Sequence, residues 1–266
     1  MLGKSLKKNI LGMGVDVSSF EDSLFKIRNW AKSSNEHGKY VCLSNVHMCM
    51  EAYDSKLFQG VVNNANLVLA DGKPIYWAQK LLGASSAEQI RGTELSLKVC
   101  AQAALDNIPI GLYGGSPSVL IKLNNELKAL YPEINIVCKI SPPYRPLTPE
   151  EDNKIVNEIN ASGAKILLVG LGCPKQEIWM ADHVLKVNCV MLGVGAAFDF
   201  ITGEKRTAPK LISNLGLEWF LRFACEPRRL WKRYLKHNPR YMVFFFKQWC
   251  FQKYSSKNIV HRSPNN

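Results

Sequence analysis

Six short apolar runs recur along the chain, each rich in β-branched or aliphatic residues. They are YVCLSN (40–45), ANLVLA (65–70), PIGLYG (109–114), INIVCKI (134–140), AKILLVGL (164–171) and NCVMLGVG (188–195). Between them lie segments of helical periodicity at about 47–60, 74–82, 93–106, 117–130, 149–161 and 175–186. A further helix is predicted in SSFEDSLFKIRNWAK, with Ser18 or Ser19 as cap, acids in the first turn, and Phe20, Leu24 and Ile27 at helical spacing. Runs without alternation are strands buried on both faces, and strands joined by helices pair in parallel. The predicted fold class is therefore α/β, a parallel sheet with helices on both faces. No internal repeat or low-complexity linker interrupts it.

A parallel sheet binds ligands beyond the carboxyl ends of its strands. Those positions carry the chain's most distinctive residues. Asn45 follows the first run, and Asp71 follows LVLA. Gly114 and Gly115 precede Ser116-Pro117. Gly170 and Gly172 precede Cys173-Pro174-Lys175-Gln176-Glu177. Gly193 and Gly195 precede the segment carrying Asp199. Two of these segments, YGGSPSVL and VGLGCPKQE, read as strand, glycine turn, Pro and helix. The free N–H groups of such a helix start suit a phosphate, and tight turns without a ligand have the same pattern. Neither is G-x-G-x-x-G or a Walker loop, which argues against an ordinary dinucleotide enzyme or P-loop ATPase. Lys175 and Gln176 stand where a side chain can donate to a phosphate or a sugar hydroxyl. Asp71 has two readings: N-cap of the helix that follows, or general base at a strand end. Asp199 likewise reads as a structural acceptor or a ligand contact.

His47 reads as a packed or surface residue. No two His, Cys or acidic residues show metal-ligand spacing. D-x-D is absent, so a divalent-metal clamp on a nucleotide diphosphate is not indicated, and neither a metal nor a cofactor is expected. The eight cysteines include no C-x-x-C and mostly lie in apolar runs, as buried thiols of a reducing compartment do. The N-terminal stretch has basic residues but no long apolar core, so no signal peptide is expected.

The net charge of +12 is unevenly placed. Residues 204–266 hold 14 Lys and Arg against three acids, leaving +11 there and +1 in the rest of the chain. The expected division is a catalytic body at 1–203 and a basic, aromatic appendage at 204–266. In the appendage, Trp219, Phe220 and Phe223 lie beside Arg222. Past Pro227, Leu230, Trp231, Tyr234 and Leu235 lie beside Arg228, Arg229, Lys232 and Arg233. A basic amphipathic helix with aromatics suits an anionic membrane surface. A helix packed on the body with a solvated basic face has the same pattern. Nucleic-acid binding ranks last, since no recognisable module accompanies the charge.

The ordered motifs N-V-H near 45, L-A-D-G at 69–72, R-G-T-E-L at 91–95, Y-G-G at 113–115, V-G-L-G-C-P-K-Q-E at 169–177, G-V-G-A-A-F-D-F at 193–200, G-E-K-R-T-A-P at 203–209 and E-P-R-R-L-W-K-R-Y at 226–234 resemble the WecG/TagA/CpsF glycosyltransferases. The likeness covers roughly residues 9–246. It implies a Rossmann-like body with a C-terminal appendage completing the site at the inner face of the cell membrane. It implies inverting, metal-independent transfer of a hexose-type sugar from a UDP-sugar to a polyprenyl-diphosphate-linked saccharide, in the synthesis of teichoic acid, common antigen, capsule or exopolysaccharide. By motif, Asp71 takes the general-base position and Gln176 a polar position near the donor. Arg222, Arg228, Arg229 and Arg233 become contacts to diphosphate or lipid headgroups, and Asn45, Arg91, Gly114, Gly115, Gly172, Lys175, Gly195 and Asp199 become substrate contacts. Two positions differ from the pattern: Leu43 stands for a Thr, and Gln89 for an Arg whose nearest substitute is Arg91. Expected partners are the UDP-sugar, the lipid-linked acceptor, an anionic membrane and further copies of the chain, with no nucleic acid. The alternative is a nucleotide- or anionic-lipid-binding module without catalysis.

Overall fold

The computed structural model describes residues 6–33, 38–205 and 218–260; the side chains of residues 218, 219, 221, 222, 229, 232, 233 and 255–260 lie outside the description. All six apolar runs form strands of one parallel sheet: β3 (Lys39–Ser44), β4 (Leu67–Ala70), β5 (Ile110–Gly114), β6 (Ile136–Ile140), β7 (Ile166–Gly170) and β8 (Val190–Gly193). Their order is β4-β3-β8-β7-β5-β6, and each neighbouring pair is parallel. An antiparallel hairpin, β1 (Lys7–Ile10) and β2 (Met13–Asp16), precedes it. Leu11 and Gly12 form its two-residue turn, both at positive φ, as a turn matching the strand twist requires.

Alternation along each strand divides the core into two layers. Tyr40 and Cys42 of β3 face one layer with Val68, Val169 and Met191. Val41 and Leu43 face the other with Leu67, Leu168 and Leu192. Helices α2 (Val46–Asp54), α3 (Lys56–Asn63), α4 (Lys73–Leu81), α7 (Pro149–Ala161) and α8 (Lys175–His183) bury residues in the first layer. Helices α1 (Phe20–Lys32), α5 (Gly92–Leu105), α6 (Pro117–Leu130) and α9 (Ala197–Ile201) bury residues in the second. Neighbouring strands β3 and β8 therefore send the chain to opposite faces, which opens a crevice at their carboxyl ends.

Local chemistry sets the helix boundaries. Ser19 caps α1 by accepting from the Asp22 N–H. Thr148 and Glu151 form a reciprocal capping box at α7. The helix predicted at 47–60 is two helices, because Ser55 ends α2 and caps α3, its side chain accepting from the Phe58 N–H.

The appendage contains α10 (Glu218–Cys225) and α11 (Pro227–Val260). Pro227 opens the second helix, where its missing N–H has no intrahelical role. One face of α11 belongs to the core: Leu230, Tyr241 and Phe245 are buried, and Tyr241 and Phe245 join the first layer. The Tyr241 hydroxyl donates to the Pro74 carbonyl. The Gln248 amide donates to the Asn9 carbonyl and its oxygen accepts from the Leu11 N–H. The other face exposes Trp231, Leu235, Met242 and Phe246. Among the described residues, no helix is long and apolar enough to cross a membrane.

Candidate active site

A cavity of about 1120 Å³ opens at the carboxyl edge of the sheet. Asn45, Asp71, Gly115, Gly172 and Gly195 line it, each just after a different strand. Lys175, Gln176 and Asp199 line it as well, so eight residues singled out from the sequence meet at one place. Arg91 does not line it; it opens α5 and pairs with Glu94 at 3.4 Å. Gly114 sits one residue inside the rim, at the end of β5. Arg228 is exposed and outside the cavity. The side chains of Arg222, Arg229 and Arg233 lie outside the described residues.

Asp71 does not cap the helix after it. Gly72 is the N-cap of α4, and no side chain bonds there. Instead the Asp71 carboxylate reaches across to α5, where its Oδ1 accepts from the Gly92 N–H at 2.8 Å. That N–H is one of the donors a helix start leaves unpaired, and the helix dipole favours an anion there. The backbone of Asp71 is fixed too: its N–H donates to the Ser44 carbonyl, and its carbonyl accepts from the Gln89 amide at 2.8 Å. Gln89 thus braces the loop that carries Asp71. Leu43, the other departure from the family pattern, lies against Gly92, where an added Cβ would come within 3.0 Å of its Cδ1.

Asn45 caps α2 through its side-chain oxygen, which accepts from the Met48 N–H. Gln176 is buried, and both ends of its amide are engaged within the protein. Its oxygen accepts from the Gly172 N–H, and its nitrogen donates to Glu177 at 2.7 Å. It holds the turn that precedes α8. Gly193 makes room for it, since a Cβ there would come within 3.0 Å of the Gln176 nitrogen. Gly114 has φ +114, and a Cβ would strike the Gly170 carbonyl at 2.6 Å. Both glycines are required by close approach at the sheet edge.

Three features of the wall have no signature in the sequence. His183, buried, places Nε2 2.7 Å from Asp152 and Nδ1 2.7 Å from the Trp179 carbonyl. Asp152 also accepts from the Trp179 indole N–H. These residues come from α7 and α8 and join only through packing. The loop 142–149 forms another wall, held by a two-bond pair between Arg145 and Glu151 at 2.7 Å each. Arg145 and the Thr148 N–H hold the Glu151 carboxyl down at about 2. Lastly, Lys205 pairs with Asp199 and lies 3.5 Å from Glu226, tying the cavity rim to the start of α11. Leu230 of α11 also lines the cavity.

Residues 8–255 match the family described as Glycosyl transferase WecG/TagA/CpsF family. The chain belongs to that family. It is a glycosyltransferase of cell-surface polysaccharide synthesis. The family motifs thereby gain places in this glycosyltransferase. L-A-D-G is the end and exit of β4, P-K-Q-E opens α8, G-A-A-F-D-F joins β8 to α9, and E-P-R-R opens α11.

Of the eight cysteines, Cys173 is half-buried and lines the cavity. Cys42, Cys49, Cys100, Cys138 and Cys189 are buried, while Cys225 and Cys250 are exposed. Burial pushes Cys49, Cys100 and Cys189 up to about 12, which leaves them inert.

Proposed function

We propose that the chain transfers a hexose-type sugar from a UDP-sugar to a polyprenyl-diphosphate-linked saccharide, with inversion and without a metal in the transfer step. The observation that carries this reading is Asp71, a carboxylate lining the cavity with one oxygen anchored by the Gly92 N–H. The Asp71 carboxylate takes the proton of the acceptor hydroxyl as that oxygen attacks the anomeric carbon. The carbon–oxygen bond to UDP breaks on the opposite face, and UDP leaves with the bonding electrons. A cavity of about 1120 Å³ exceeds the usual range of about 300–1,000 Å³ for one small ligand, consistent with room for two substrates. Lys175 at the start of α8 supplies positive charge for the leaving diphosphate.

The lipid-linked acceptor places the enzyme at the inner face of the cell membrane as a peripheral protein. Supporting this are the exposed apolar side chains of α11, Trp231, Leu235, Met242 and Phe246, which share the helix with Arg228, Lys236 and Lys247. An exposed apolar stripe on a basic helix suits an anionic bilayer interface. The test is a product assay on the full chain with a panel of UDP-sugars and short-chain lipid-diphosphate acceptors. UDP release that requires the acceptor supports the reading. Nucleotide or liposome binding without turnover across the panel would favour the module without catalysis.

A further inference from the structure

Where α11 crosses α2, three metal-ligating side chains converge. His47 and Glu51 stand four residues apart on α2, one helical turn, and so share a face. His237 arrives from α11, 190 residues along the chain from His47, and is buried. One ligand atom from each of the three lies within 4.8 Å of the others. Glu51 Oε1 is 3.7 Å from His47 Nδ1 and 3.4 Å from His237 Nε2. The His47 and His237 rings meet edge-on with centroids 5.1 Å apart.

These separations decide between two pictures. A direct N–H···O bond spans about 2.7–3.2 Å, and both distances exceed it. A tetrahedral zinc ion with bonds of about 2.0–2.2 Å holds its ligand atoms roughly 3.3–3.5 Å apart. The 3.4 Å from Glu51 to His237 falls within that spacing, and the 3.7 Å to His47 lies about 0.2 Å beyond it, a gap that a small side-chain shift around a shared ion closes. The His47 Nδ1 is itself buried away from water, as a ligand atom pointing into a closed site is. Two imidazoles and one carboxylate suit zinc or a similar late first-row divalent cation, and not magnesium or calcium, which prefer oxygen ligands.

We propose that His47, Glu51 and His237 form a zinc site that clasps α11 to the body, with water as the fourth ligand. None of the three lines the substrate cavity, so the site is separate from the transfer chemistry and independent of the reading given to Asp71. It stands two residues beyond Asn45, which does line the cavity. Because Leu230 of α11 also lines the cavity, fixing α11 at His237 fixes part of the cavity wall.

The test uses the full chain without a histidine tag, stripped with a chelator and titrated with zinc chloride against a chromophoric competitor. One zinc per chain is expected. His237→Ala and His47→Ala are each expected to weaken binding by at least about 100-fold, since loss of even an outer-shell partner costs 10–100-fold. Glu51→Gln preserves shape and is expected to weaken zinc binding while leaving the zinc-free melting temperature near that of the parent. Zinc is also expected to slow proteolysis beyond Pro227 in the parent and not in His237→Ala. If a variant fails to fold, cobalt(II) in the parent decides. A tetrahedral spectrum without a thiolate charge-transfer band supports the site, whereas a thiolate band assigns the ion to cysteines and overturns it. Absence of stoichiometric binding, or equal binding by folded His237→Ala, also overturns it and leaves the seam as an ion pair alone.

Discussion

The strand-end cavity and the seam between α2 and α11 are assembled by opposite routes. In the cavity, five strands each deliver a residue just past their carboxyl end to a common edge, so parallel topology does the assembling. In the seam, partners meet across most of the chain: Asp54 with Arg240 and Glu51 with His237. The first kind of site can be written as local motifs. The second has no local pattern, because each partner sits on an ordinary amphipathic helix.

The sharpest separation of the two regions comes from Asp71→Asn. The amide keeps an oxygen able to accept from the Gly92 N–H, so the loop and α5 retain their hold. What is lost is the ability to take a proton. Turnover should fall by roughly 10²–10⁴-fold with the unfolding midpoint little changed, since general-base catalysis contributes about that factor. Acceptor-dependent UDP release in the product assay measures the first, and denaturant unfolding the second. Retained turnover in a folded variant removes Asp71 from the chemistry.

Phe245→Ala probes the other end. Phe245 is buried in the first core layer although it lies in the appendage. Truncating a buried Phe costs about 3–5 kcal/mol, so the unfolding midpoint should drop by that equivalent for the body and α11 together. A body that keeps its full stability would mean that α11 is an independent unit merely resting on the surface.

The legibility of the chain follows the same division. All six sheet strands coincide with apolar runs; five are buried on both faces, and β6, at the sheet edge, exposes Lys139, while Pro117 and Pro149 mark helix starts because Pro fits the first turn. The β1–β2 hairpin has no signature in the sequence, since its four-residue strands and Leu-Gly turn give little periodicity. Asp71, Asn45 and Gly172 are legible as strand-end residues. That Asp71 holds α5 rather than capping α4 is not, because it depends on Gly92 lying 21 residues on. The histidine of the Asp152–His183 pair likewise looks like any helix residue until α7 and α8 pack.

On the exposed face of α11, Phe246→Ser should weaken binding to anionic liposomes by roughly tenfold. Full burial of a Phe side chain is worth about 1.5–3 kcal/mol, and an interfacial residue realises part of it. Co-sedimentation at fixed salt measures it, and turnover on a soluble short-chain acceptor should be unchanged. Phe246 is exposed while its neighbour Phe245 is buried, so the two substitutions dissect one helix into a packing face and a membrane face. Unchanged liposome binding would detach the membrane reading from this stripe.

The smallest effect is expected at Asp54 and Arg240, one turn along the seam from Glu51 and His237. Arg240 grips Asp54 with two bonds of 2.6 and 2.9 Å, and Lys236 adds charge at 3.7 Å. The Arg240 hydrogen bonds foremost, opposed by burial and helped by the nearby positive charges, hold the Asp54 carboxyl below its ordinary value. Its folded pKa is thus lower than its unfolded one, so the pair's contribution is complete above the unfolded pKa and disappears as pH falls through the folded value. Both side chains remain a third exposed, so water screens the pair, and a double-mutant cycle with Asp54→Asn and Arg240→Gln should give a coupling of about 0.2–1 kcal/mol at neutral pH. That coupling should vanish in acid, where the carboxyl is protonated with or without Arg240. A coupling that persisted at a pH well below the folded value would mean that the contact works through packing of the Arg240 guanidinium against Phe244, 5.6 Å away, and that the seam is held by apolar contact rather than charge.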